Sequence, residues 1–136
     1  MAKYQITLNS EQLATLLAAT EAFSRLSIGQ IKYALDQCWS HKLWELPADT
    51  LELIEQKCRV ITMLLSEGKC DGYNSSYGIY NPEIDKHGIT SFNIHQVLRH
   101  QLWKEQPEDK RNSSTVDSSV CITNGEPPIE IKKIED

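Results

Sequence analysis

KYQITLNSEQLATLLAATEAFS, residues 3–24, changes its hydrophobic period partway along, and that change decides the fold class. Tyr4, Ile6 and Leu8 alternate with Gln5 and Thr7, the period of two that lays one side of a strand on a core. Beyond Asn9 the apolar positions Leu13, Leu16, Leu17 and Phe23 recur near the helical period. Asn9 and Ser10 offer side-chain oxygens to the free N–H groups of that helix, and Glu11 suits the positive end of its dipole. The reading is a strand over 3–8 running into an amphipathic helix that ends near Ser24.

Downstream, Ser27 and Gly29 punctuate the chain, and Ile28, Ile31, Leu35 and Cys38 mark one face of a second helix ending near Trp39. Pro47, Asp49 and Thr50 open a third helix over 50–66, with Leu53, Ile54, Cys58, Ile61, Leu64 and Leu65 aligned until Gly68. The period then fails through CDGYNSSYGIYNPEIDKHGIT, and a long loop inside a compact domain usually carries function. Residues 67–91 are therefore expected to form a functional loop. Ser91 caps a fourth helix from about Phe92 to Lys104, its stripe Ile94, Val97, Leu98 and Leu102, its other face His95, Gln96, Arg99 and Trp103.

Residues 105–117 read as an exposed connection, and strand-like alternation returns over 118–123 and 129–134. Asn124-Gly125 would turn between them, although Pro127 and Pro128 argue against a two-residue hairpin. The expected fold is α+β in a single domain spanning 1–136, with a small antiparallel sheet of N- and C-terminal strands packed against about four helices.

With 40% hydrophobic and 24% charged residues the chain has the composition of a folding globular domain. Its formal charge of -5 repels polyanions, which disfavours DNA, RNA and acidic membrane surfaces while leaving room for a local anion pocket built from arginines. Met1 to Leu8 holds no basic leader and no long apolar run, so a cytoplasmic location is expected. Cys38, Cys58, Cys70 and Cys121 lack the dense spacing of a secreted disulfide scaffold and read as reduced thiols.

No pair of Cys-x-x-Cys or His-x-x-x-His type is present to build a zinc tetrahedron, and no phosphate loop or catalytic signature stands in the chain, so neither a metal, a cofactor nor a catalytic residue is assigned. What remains is a polar and aromatic loop ahead of a helix with an arginine. Tyr73, Tyr77 and Tyr80 can stack on flat rings, Asn81 and Asn93 can read base edges, and Arg99 or Arg111 can hold phosphates. Free backbone N–H groups at Phe92 and Asn93, at the start of the fourth helix, would favour an anion. On the residues alone, a ligand binder, a protein-binding inhibitor and a small hydrolase all stay open.

The ordered series ITLNSEQLATLLAATEAFSRLSIGQIKYAL, SSYGIYNPEI, SFNIHQVLRHQLWKEQP, TVDSSV and NGEPPIEI resembles small phage-encoded proteins, in particular the first type of phage anti-Thoeris proteins. That resemblance spans nearly the whole chain. It implies a cytoplasmic sponge that sequesters a cyclic ADP-ribose-type or cyclic oligonucleotide signal without cleaving it, and that assembles as a homo-oligomer, dimer or higher. It also implies binding residues of aromatic, asparagine and arginine type, which fall on Tyr80, Asn81, Asn93, Arg99 and Arg111, with Pro82 and Lys110 as departures.

Overall fold

The computed structural model describes residues 2–71, 75–121, 125 and 127–134, and all the regular structure among them is helical. Helix α1 spans Ser10–Ser27, α2 Ile31–Leu43, α3 Ala48–Leu65, α4 Lys86–Glu105 and the short α5 Thr115–Ser118, with a single 3₁₀ turn at Glu108–Lys110. The expected sheet is overturned. Residues 3–8 form no strand, and Tyr4 is 91% exposed. A six-residue alternation is held in place only by a neighbouring strand to which its N–H and C=O groups can bond. The C-terminal segments supply none: 119–121 and 129–134 are irregular where described, and the first of the two expected strands begins as the end of α5. Residues 122–124 and 126 lie outside the described residues, and with them most of the expected turn.

The helical readings follow their physical signals more closely. Asn9 caps α1, its Oδ1 accepting the Gln12 N–H at 2.8 Å while Gln12 Oε1 accepts the Asn9 N–H at 2.9 Å. Glycine stops α1 and α3: Gly29 adopts φ +82 before α2, and Gly68 adopts φ +79 after α3. Helix α4 departs from expectation by beginning at Lys86 rather than near Phe92. Asp85 caps it through the His87 N–H at 2.7 Å, and Gly88 sits inside the first turns, where its helix cost of about 1 kcal/mol hid the start.

Helices α1 and α4 pack antiparallel. Gly88 meets Ser27, Ser91 donates its hydroxyl to the Thr20 carbonyl at 2.8 Å, and His95 Nδ1 lies 3.3 Å from the Leu17 carbonyl. Ser91 is thus a bridge between helices rather than a cap. Helix α2 packs on the other side of α1, and α3 on α2, so the helices form an open row, α4, α1, α2, α3, rather than a closed bundle. The row is pinned at one end, where Thr62 of α3 donates to the Gly29 carbonyl at 2.8 Å.

Small and polar side chains fill the interior: Ala22, Ala34, Cys58, Cys70, Ile84 and Leu98 are buried, together with Thr20, Ser24, Thr62, Ser91, Asn93, His95 and Gln96. Such residues let helix axes approach closely but bury little apolar area. No helix among the described residues is long and apolar enough to cross a membrane.

Candidate functional site

Helix α1 carries a polar row, Glu21, Ser24 and Arg25, at the three- and four-residue spacing that keeps one helix face. Helix α4 opposes it with Phe92, His95, Gln96 and Arg99 at the same spacing. Where the two faces diverge they leave a cleft of about 350 Å³, with Ile28 and Ile79 at one end and Thr115, Val116, Ser119 and Cys121 across the mouth. The lining joins ionic, imidazole and amide groups (Glu21, Arg25, His95, Gln96 and Arg99) to three hydroxyl residues and to apolar walls.

The two guanidinium groups are held differently. Arg25 spans Glu21, at 3.4 Å, and the Gln30 amide oxygen, and lies over the Tyr33 ring at 5.5 Å from its centre. Its position is fixed by three side chains: Glu21 of α1, Gln30 at the N-cap of α2 and Tyr33 of α2. Arg99 instead turns toward the segment after α4. It meets the Asp117 carboxylate at 3.3 Å, the Val116 carbonyl and the Gln96 amide oxygen at 3.0 Å. Two further side chains of α4 grip the same segment: His100 Nδ1 lies 2.9 Å from the Asp117 carbonyl, and the Trp103 indole N–H donates to the Asn112 carbonyl at 2.8 Å. Residues 112–117 therefore form a strap across α4, and Arg99 is its innermost clasp. A second depression, about 230 Å³, lies on the far side of that clasp between Leu17, Trp103 and Asn112.

Burial pushes the His95 imidazole below its usual pKa, against the opposing pull of Glu21 and the Leu17 carbonyl; Arg99 and Arg25 add to the downward shift. The cleft floor thus presents a neutral imidazole with its Nδ1 directed at Leu17.

Of the residues singled out in the sequence, Arg99 lines the cleft, and Tyr80 stands at its mouth through a 3.2 Å contact between its hydroxyl and the Cys121 thiol. That contact raises the Tyr80 pKa above the usual phenol value. Asn81 shapes the turn around Pro82, its N–H donating to the Gly78 carbonyl and its Oδ1 accepting the Glu83 N–H, each at 2.8 Å. Asn93 is buried in α4 and interacts within the chain. Its N–H and that of Phe92 lie in the second turn or beyond, past the free N–H groups of the helix start, so the expected anion site there does not exist.

Arg111 closes the other end of α4, donating to the Gln106 carbonyl at 2.9 Å and to the Lys104 carbonyl, with its guanidinium 5.2 Å from the Trp103 ring centre. It caps the helix C-terminus away from the cleft. Tyr77 bonds Glu83 at 3.1 Å, and Tyr73 lies outside the described residues. No group of His, Cys, Asp and Glu among the described residues could hold a metal ion.

Glu21, Arg25, His95 and Asp117 were not foreseen as a set. The signal available was the spacing of Glu21, Ser24 and Arg25 on one face of α1, which a strand-and-helix frame assigns to solvent.

Fold and site together define an all-helical protein with a strapped, arginine-bearing cleft between two antiparallel helices. No protein family, curated protein or solved structure matches the chain.

Proposed function

We propose that the chain binds a small anionic ligand carrying flat rings in the α1–α4 cleft, and holds it without cleaving it. One observation carries the reading: Arg25 and Arg99, from different helices, line a single cleft whose remaining walls include the Phe92 ring and the apolar sides of Ile28 and Ile79. Guanidinium groups grip phosphate oxygens bidentately, and apolar and aromatic walls take base faces. The volume, about 350 Å³, sits at the lower end of the range of roughly 300–1,000 Å³ for small-molecule sites.

The ligand class follows from the resemblance: a cyclic ADP-ribose-type or cyclic oligonucleotide signal, withdrawn from a host immune pathway by a phage-type sponge that works as a homo-oligomer. Sequestration requires no general base, and a buried neutral imidazole turned toward a backbone carbonyl suits a binding wall.

The test is incubation of the full chain with cyclic ADP-ribose isomers and cyclic dinucleotides, with calorimetry of binding and chromatography of the ligand after heat denaturation. Binding followed by return of intact ligand is expected. Return of a hydrolysed product would make the chain a small hydrolase. Absence of heat with every nucleotide, together with retention of one host protein, would make it a protein-binding inhibitor.

A further inference from the structure

Two nitrogens on the cleft floor, His95 Nε2 and Gln96 Nε2, have no hydrogen-bond partner among the described residues. The side chains that carry them are nearly buried, at 5% and 6% exposure, yet neither nitrogen is sealed from solvent, so each opens on the cleft. Their roles are fixed by the other end of each side chain. The Leu17 carbonyl can only accept, so the His95 Nδ1 that lies 3.3 Å from it carries the ring proton. Burial keeps the ring neutral, which leaves Nε2 a bare acceptor. The Arg99 guanidinium can only donate, so the Gln96 atom facing it at 3.0 Å is the amide oxygen, and Nε2 is the donor end.

An acceptor and a donor on adjacent residues, both nearly buried, are costly to leave unmade. A ligand that met the arginines alone would leave them so, because a phosphate diester has no hydrogen to offer the imidazole. We infer that His95 and Gln96 read the edge of a bound base, His95 Nε2 accepting from an amino group and Gln96 Nε2 donating to the ring nitrogen beside it. Such a contact rests on the nucleotide reading of the cleft and narrows it to adenine.

Phe92 stands three and four positions before the pair on the same face of α4, where its ring can take the flat side of the base. Gln96 is bonded to Arg99, so base edge and phosphate are held by touching side chains. The purine edge on the phosphate side of a nucleotide is the one bearing N7. There adenine offers an amino donor beside the N7 acceptor, whereas guanine offers two acceptors, O6 and N7, and leaves His95 unpaired. Asn81 and Asn93, expected from the sequence to read base edges, are engaged within the chain.

Calorimetric titration of the full chain with cyclic di-adenosine monophosphate, its 7-deaza analogue and cyclic di-guanosine monophosphate tests the contact. The adenine ligand should bind at least about tenfold tighter than the guanine ligand, and replacing N7 by carbon should weaken it about tenfold. In Gln96→Ala the penalty for the 7-deaza analogue should vanish, because the donor for N7 is gone. Equal affinity of the parent chain for the adenine and guanine ligands overturns the base reading and leaves the cleft a nucleotide site. A 7-deaza penalty that persists in Gln96→Ala, at unchanged helical circular dichroism, does the same. Absence of heat with all three ligands removes the nucleotide reading itself, and this contact with it. Should Gln96→Ala lose helicity, the two comparisons on the parent chain decide alone.

Discussion

Gly88 of α4 lies so close to Ser27 of α1 that a β-carbon at position 88 would stand 2.3 Å from both the Cβ and the hydroxyl of Ser27. Separations below van der Waals contact must be relieved by moving a helix. Elsewhere in a helix, glycine to alanine gains up to about 1 kcal/mol of propensity. Here the overlap decides the sign, and Gly88→Ala is expected to destabilise the fold by about 1–3 kcal/mol in urea denaturation. Gly78→Ala is the control, because open space surrounds that position. A Gly88→Ala protein as stable as the parent would mean that α1 and α4 do not approach as described.

Arg99 and Arg111 separate binding from folding. Arg99 lines the cleft, whereas Arg111 caps α4 beyond it. A charge-assisted hydrogen bond contributes about 1.5–3 kcal/mol, so Arg99→Ala should weaken nucleotide binding on the order of tenfold to a hundredfold. Arg111→Ala should leave the dissociation constant alone and lower the melting temperature. Asn93→Ala should do the same, its side chain being buried. Calorimetric titration of the three variants checks this, and equal losses of affinity for Arg99→Ala and Arg111→Ala would relocate the site.

His95 gives the fold a pH dependence of predictable sign. Burial holds its folded-state pKa below the unfolded value of about 6.5. The unfolded chain therefore takes up its proton first on acidification. Stability from the neutral imidazole is complete above about pH 6.5 and is lost as the pH falls through the folded value. The charged groups facing it, Glu21, Arg25 and Arg99, belong to the same cleft. His95→Gln retains a donor for the Leu17 carbonyl without titrating. Urea denaturation between about pH 7 and about pH 5 should show a shallower slope for His95→Gln than for the parent, and parallel slopes would remove His95 as the source.

The parts of the structure written in local code were legible in the sequence. The cap at Asn9, the glycine stops at Gly29 and Gly68, and the apolar spacing of α1 to α3 need only near neighbours, although the reciprocal bond from Gln12 was not read. The sheet failed because alternation at Tyr4, Ile6 and Leu8 is a necessary condition for a strand and says nothing about a partner. The start of α4 was hidden by Gly88, a residue that local propensity treats as a breaker and that tertiary contact with Ser27 requires. Arg99 was found by its chemistry, but its clasp on Asp117, eighteen positions further on, depends on the chain turning back at Pro107 and Arg111. A sequence pattern does not state that reversal.

That clasp leads to the last expectation. The Asp117 carboxylate and the Val116 carbonyl occupy the Arg99 donors on which a phosphate would draw. Ligand and strap therefore compete, and the intrinsic affinity of the cleft is reduced by the fraction of molecules in which the strap is closed. Asp117→Asn keeps the size of the side chain and removes its charge. It should raise nucleotide affinity severalfold, speed amide hydrogen exchange across residues 112–121, and leave α1 protection unchanged. Faster exchange without a gain in affinity would show that the strap is clasped by Arg99 yet does not gate the cleft. Slower or unchanged exchange would show that His100 and Trp103 hold the strap without help from the ion pair.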